Sequence, residues 1–220
     1  MLISLNKIFK FITTTCNLYN IDESHGVRHS MDILRTTKNI YDEELVKFDY
    51  LKNKEHIVYT SALLHDMCDH KYIKPEQGII KIKTFLNDCD YVEQDINTIL
   101  RIMNTMSYSK VKKEGFPFQK NDTEEFIKMY HIVREADLLC AYEVERCIIY
   151  DLFARNNDFT TSFQKAYDLF QVRMFKHFDD ELFTTSYALR EGRKMHKDAS
   201  DRLEEIKKLI IDTDINKNLL

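Results

Sequence analysis

Two histidines and two aspartates carry the chemistry this sequence offers. His65 and Asp66 stand side by side after the apolar run Ala62, Leu63, Leu64. A carboxylate in such surroundings is costly unless a charge, a metal or a hydrogen-bond network compensates it. Neighbouring helical residues point about 100° apart, which lets both side chains reach one ion as adjacent ligands, with two more supplied by other helices. His29, on the preceding helix, and Asp137, among Val133, Ala136 and Leu138, are the candidates. Two imidazoles and two carboxylates suit a single six-coordinate Mn²⁺, Fe²⁺ or Mg²⁺, with positions left for water and a phosphate oxygen. On spacing alone the more economical reading is a core histidine held by an aspartate, with Asp137 an unrelated cap or salt-bridge partner.

Around this set stand groups that could handle protons and phosphate. Asp69 follows Asp66 by one turn, about 60° round the same helix, close enough to orient a water or exchange a proton with it; a polar helix end is the plainer alternative. Lys71 could neutralise a phosphate or be a solvated terminal lysine. His25, four residues before His29, could touch a phosphate or leaving-group oxygen or simply pack at the surface. Ser109 and Lys110, with Lys112 and Lys113, put positive charge into a loop that is either ligand-facing or merely solvated. Tyr72, Tyr108 and Phe116 flank the region, and one of them could stack on a nucleobase. His56, His70 and His131 fall outside the ligand set, so the pattern supplies one metal rather than two.

Helices must position these groups. Ile3, Leu5, Ile8, Phe9, Phe11 and Ile12 predict a first amphipathic helix. After the polar interruption 20–26 a second helix carries His29, and 42–54 reads as a short helix with a turn. The stretch 55–69 predicts a central helix with little room for a wet face. Further helices are expected at 76–88 and 91–104, the latter capped by Asp90 and Glu93. Gly115 and Pro117 mark 105–122 as a loop. Asp122 and Glu125 then open one helix running to about 150, followed by helices at 159–176 and 180–211, the last with a bend near Gly192.

The chain has 220 residues, 44% hydrophobic and 31% charged, with only 4 Gly and 2 Pro. That length buries a core without staples, and the scarcity of turn formers fits an all-α fold with helix well above the one-third average. One domain over 1–220 is expected, with 180–211 as a helical extension packed on it. The net charge of -4 gives no general attraction to nucleic-acid backbones. The five cysteines, at 16, 68, 89, 140 and 147, form no CxxC pair and read as free thiols of a reducing compartment. No run approaches a membrane span. The first twenty residues lack a continuous apolar core and a cleavage site, so the cytoplasm, of a cell or of an infected host cell, is the expected location.

Three segments carry a family likeness: DESHGVRH at 22–29, ALLHDMCDHK at 62–71 and EADLLCA at 135–141. Together they resemble the HD-domain metal-dependent phosphohydrolases, most closely a bacterial nucleotide-hydrolysing branch with DxSHDxxH, LLHDxxDxK and DADxLxA. SYSK at 107–110 is similar to a serine and lysine segment of that branch. The resemblance implies an HD-type helical bundle with the metal between helices, His29, His65, Asp66 and Asp137 as ligands, and Asp66, Asp69 and Lys71 in catalysis. It also implies His25, Lys71, Ser109 and Lys110 at the substrate. One divalent ion is implied, Mn²⁺ before Mg²⁺, Fe²⁺, Co²⁺ or Ni²⁺. The implied reaction is cleavage of a nucleoside triphosphate to monophosphate and pyrophosphate, with monophosphate or cyclic-nucleotide hydrolysis as the alternative. Three departures bear on the substrate pocket more than on the metal: Asp32 replaces an arginine, Cys140 an aspartate and Gly26 an aspartate. They motivate a second class of function, a metal-stabilised binding or scaffold protein without turnover. Processing of RNA ends, also known among HD domains, fits the negative charge less well. Monomer and homodimer are equally open.

Overall fold

In a computed structural model, residues 4–217 are described, with side chains over 4–212. The protein is all-α: the described residues form ten α-helices and two short 3₁₀ turns, and no strand. The chain divides into two compact units, Met1–Cys140 and Ala141–Leu220.

The first unit contains α1 (Leu5–Tyr19), α2 (Val27–Lys47), α3 (Glu55–Leu64), α4 (Pro75–Asp88), α5 (Glu93–Thr105), α6 (Tyr108–Glu114) and α7 (Glu124–Cys140). Its centre is the mutual packing of α2, α3 and α7. On α2 the buried positions Ile33, Thr36, Thr37, Ile40, Tyr41 and Glu44 recur at helical intervals, so one side of the helix faces inward. Eight of the ten residues of α3 are buried, which leaves the central helix expected from its composition without a wet face. Several buried polar groups along these contacts are paired, whereas the hydroxyls of Thr37 and Ser61 have no hydrogen-bond partner among the described residues. Glu44 of α2 accepts from Lys47 at 2.8 Å and from Lys128 of α7 at 2.8 Å. His56 of α3 bonds Asp95 of α5 at 2.8 Å, and Thr60 bonds Tyr91 at 2.7 Å.

Several boundaries differ from expectation for local reasons. The second helix runs on to Lys47, and only Asp49–Leu51 forms a separate turn. The central helix stops at Leu64; beyond it Met67 N bonds Leu64 O and Asp69 N bonds Asp66 O, three residues back, so 65–69 is wound more tightly than an α-helix. Asp90 does not cap α5: it takes a left-handed φ of 62°, and Val92 stands at the N-cap. Ser109 and Lys110 lie on the helix α6, not in a loop, and the loop is confined to 115–123. Asp122 does not cap α7 either. Its carboxylate takes both arms of Arg101, at 2.6 and 2.7 Å, and the cap falls to Thr123, whose Oγ1 accepts from Phe126 N at 3.2 Å.

The helix expected to continue to about 150 breaks at 141–143, which is also where the first unit ends. The second unit contains α8 (Val144–Arg155), α9 (Phe159–Val172) and α10 (Ser186–Lys217), with the turn Met174–Lys176 between the last two. Phe163 and Phe170 of α9 are buried here, as are Ala199, Leu203 and Ile206 of α10. Gly192 lies inside α10 without interrupting it. With glycine scarce, Asn20 and Asn156 end α1 and α8 in the left-handed region, which asparagine tolerates better than most residues. Among the described residues no helix is long and apolar enough to cross a membrane.

Two glycines set close approaches in the first unit. A Cβ on Gly78 of α4 would stand 2.6 Å from Cys68 Cβ and 2.8 Å from Cys68 Cα, so α4 lies directly against the 65–69 turn. A Cβ on Gly26 would stand 2.9 Å from the Asp22 carbonyl. The aspartate that the resemblance leads one to expect at 26 would therefore strain the 22–26 turn. Gly78→Ala is expected to destabilise the protein by about 1–3 kcal/mol, because backbone as well as side chain must give way. Urea denaturation checks this, and a loss within a few tenths of a kcal/mol would contradict the packing described.

Candidate metal centre

Three separate pieces of chain deliver the four expected ligands to one place. His29 sits in the first turn of α2 and is buried; His65 and Asp66 begin the tight turn after α3; Asp137 lies in the last turn of α7. The packing of α2, α3 and α7 brings these ends together. His29 Nε2 and His65 Nε2 face each other at 3.4 Å. Asp66 Oδ2 is 3.4 Å from the first and 3.2 Å from the second. Asp137 Oδ1 is 3.7 and 3.6 Å from the same two atoms.

His29, His65 and Asp66 offer ligand atoms within 4.8 Å of one another, a spread that fits one cation, and Asp137 Oδ1 adjoins the two imidazole nitrogens. Bonds of about 2.1 Å place neighbouring ligand atoms about 3.0 Å apart at right angles and about 3.4 Å apart at a tetrahedral angle. The tautomer of His65 fits as well. Its Nδ1 is 2.8 Å from the Ala62 carbonyl, which can only accept, so Nδ1 carries a proton and Nε2 is the atom turned into the cluster, able to bond a metal once its own proton leaves. The donor set of two imidazole nitrogens and two carboxylates suits Mn²⁺, Fe²⁺, Co²⁺ or Ni²⁺.

The electrostatics of the cluster ask for positive charge. Burial alone would push the His65 imidazolium down from its ordinary 6.5, but the charge of Asp66, joined by Asp137, outweighs it and lifts the group to about 10. Burial likewise opposes ionisation of Asp66, yet the neighbouring charge of His65, foremost, holds that carboxyl well below its usual range.

A second group of three lies beside the first: His25, Asp66 and Asp69 offer ligand atoms within 4.8 Å of one another. The Lys71 ammonium already stands among them, 3.0 Å from His25 Nε2 and 3.1 Å from Asp69 Oδ2, and a lysine there supplies the cation that a second metal would. The turn after α3 brings Asp69 round to Asp66, their carboxylate oxygens lying within 4.8 Å of each other. Lys71 N donates to Asp69 Oδ1 at 2.9 Å, and His70 Nδ1 lies 3.1 Å from the same oxygen.

Ser109 and Lys110 are exposed on α6; Lys110 Nζ donates to the Asn104 carbonyl at 2.5 Å, and its charge is felt at the Cys68 thiol between Asp66 and Asp69. Phe116 stacks on Phe118 with its ring near His131, against the buried Arg134 of α7, whose guanidinium lies 5.0 Å from the Phe116 ring. Of the departures, Asp32 bonds Arg35 at 3.0 Å, and Cys140 Sγ lies 3.6 Å from Thr36 Oγ1. Asp22 and Ser24, which had no role in the sequence reading, join Tyr72 around His25. Its Nδ1 is 2.6 Å from Ser24 Oγ and 3.1 Å from Tyr72 Oη, and Tyr72 donates to Asp22 Oδ2 at 2.7 Å. Asp22 and Ser24 stand inside the DESHGVRH segment, which was the only available signal for them. The second unit holds a cavity of about 480 Å³ lined by Phe178, Glu181, Phe183, Thr184, Leu189 and Arg193, none of which belongs to either group.

A proton bound by His65 near 10 when folded, against 6.5 unfolded, stabilises the metal-free protein. That contribution is complete below about 6.5 and vanishes as the pH rises through about 10. A divalent ion taking Nε2 must displace the proton, so Mn²⁺ binding at pH 8 is expected to release about one proton per chain. Calorimetry in buffers of different ionisation enthalpy reads this directly, and binding heats independent of the buffer would contradict it.

No family model and no curated protein matches the chain. Among solved structures it is similar to a Lactobacillus plantarum protein whose crystal structure was determined as a structural-genomics target. The two are 18% identical with a TM-score of 0.68, over 96% of this chain and 100% of the other. At that identity the likeness is one of fold.

Proposed function

We propose that the protein is a mononuclear metal-dependent phosphohydrolase of HD type, acting on a small phosphorylated metabolite and foremost on a nucleoside triphosphate cleaved to monophosphate and pyrophosphate. The observation that carries this reading is the convergence of two imidazole Nε2 atoms and two carboxylates beside a lysine ammonium held between a histidine and a third carboxylate. A site built only to stabilise the fold has no use for that second group.

His29, His65, Asp66 and Asp137 would hold the ion. When bound, a divalent metal supplies a Lewis acid that acidifies water and polarises a phosphoryl oxygen. The rest falls to the chain. The Lys71 ammonium, steadied by His25 Nε2 and Asp69 Oδ2, would offset charge that grows on a phosphate oxygen. The Asp69 carboxylate takes the proton of the attacking water. The water oxygen bonds to the α-phosphorus as the bond to the bridging oxygen breaks, and pyrophosphate leaves with the electron pair.

The test is a panel of nucleotides and general phosphoesters offered to metal-stripped protein reloaded with Mn²⁺, Mg²⁺, Fe²⁺, Co²⁺ or Ni²⁺. Turnover is expected to fall on the order of 10³-fold in Asp66→Ala. In Lys71→Ala a loss on the order of 10²-fold in kcat/KM is expected, with Mn²⁺ affinity by calorimetry unchanged. Release of phosphate from monophosphates alone would move the reaction to the monophosphate alternative. Metal binding without Asp66-dependent turnover on any compound would leave a metal-stabilised scaffold.

A further inference from the structure

The geometry points to Asp22 and Tyr72 as positioning residues that fix the tautomer of His25 and through it the place of Lys71. This deepens the reading of the site as phosphate-binding and rests on it for its consequence, though not for its geometry.

Every bond in the chain Asp22, Tyr72, His25, Lys71 has one permitted direction. Asp22 Oδ1 accepts from Ser24 N at 2.9 Å, which turns Oδ2 toward Tyr72. A carboxylate can only accept, so the Tyr72 hydroxyl spends its one hydrogen on Asp22 at 2.7 Å. Its oxygen can then only accept from His25 Nδ1, 3.1 Å away. The ring proton is thereby drawn to Nδ1, and the lone pair is left on Nε2. That lone pair meets Lys71 Nζ, which can only donate, at 3.0 Å. The second arm of the ammonium reaches Asp69 Oδ2 at 3.1 Å.

Ser24 Oγ also lies against His25 Nδ1, at 2.6 Å, but a serine hydroxyl serves either as donor or as acceptor and imposes no tautomer. Tyr72, committed by Asp22, favours a proton on Nδ1 from that side of the ring. In the opposite tautomer an Nε2–H would confront the Lys71 ammonium donor to donor. Lys71 would then lose its bond to His25, one of the contacts that hold the ammonium beside Asp69.

The experiment uses full-length protein with ¹⁵N-labelled histidine, metal-free and loaded with Mg²⁺, and long-range ¹H–¹⁵N spectra that report which nitrogen of His25 carries hydrogen. Wild type is expected to show Nδ1–H. Tyr72→Phe removes a single oxygen and is expected to populate the Nε2–H form. Asp22→Asn keeps the shape but turns an amide NH₂ toward Tyr72, which reverses the direction of the chain and is expected to favour Nε2–H more strongly. Thermal melts confirm that each variant is folded. Inorganic triphosphate, titrated by calorimetry into the Mg²⁺-loaded proteins, is expected to bind roughly fivefold more weakly to Tyr72→Phe, the cost of about one neutral hydrogen bond. An Nε2–H wild type, or Nδ1–H retained in both folded variants, would overturn the proposal. Failure of wild type to bind triphosphate would instead remove the phosphate-binding reading, and the tautomer spectra would still decide the positioning one.

Discussion

The first unit of this protein is organised around a concentration of charge that its interior cannot hold without compensation. Two carboxylates, Asp66 and Asp137, face two imidazoles whose Nε2 atoms are 3.4 Å apart. Without a cation one imidazole must become one, and His65 holds its proton up to about 10 for that reason. With a divalent ion the lone pairs and the carboxylates are satisfied together. The apolar faces of α2, α3 and α7 supply the packing that brings their ends, and with them the four side chains, into the same small volume.

Around that centre the backbone makes room rather than contacts. Gly78 lets α4 press on Cys68 in the turn that carries His65, Asp66 and Asp69. Gly26 lets the 22–26 turn close, so that His25 enters the site from one side as His29 enters from the next helix. The tight winding of 65–69 then sets Asp69 beside Asp66, and Lys71 folds back between Asp69 and His25. The result is a cation-demanding group adjoining a group that carries its own cation. This asymmetry is why one metal, rather than two, is the reading the side chains support.

The all-α class was legible from the scarcity of Gly and Pro, and the helices around the ligands from apolar residues at helical intervals on α2, α3 and α7. Asp137 was legible as a candidate ligand from its apolar neighbours Val133, Ala136 and Leu138, and the family likeness raised its weight, since nothing local distinguishes a buried aspartate awaiting a metal from one awaiting a lysine. The helix ends were less legible. Asp90 and Asp122 both fit a capping pattern, but one turns the chain with a positive φ and the other is claimed by Arg101 from the neighbouring helix, a tertiary choice invisible in local spacing. The helix read through 141–143 breaks where one compact unit ends and the next begins. Tyr72 was weighed for its ring, whereas its hydroxyl is what engages Asp22 and His25. Direction along a hydrogen-bond chain depends on which atoms meet, and spacing does not carry it.

The most direct measurement of the central claim is anomalous diffraction from crystals of the full chain grown with Mn²⁺. The account predicts one strong manganese peak, within about 2.0–2.3 Å of His29 Nε2, His65 Nε2 and a carboxylate oxygen each of Asp66 and Asp137. It also predicts the Lys71 ammonium still seated between His25 and Asp69. A peak displaced to the His25 and Asp69 side with Lys71 expelled, or no peak between the two imidazoles at saturating Mn²⁺, would contradict it.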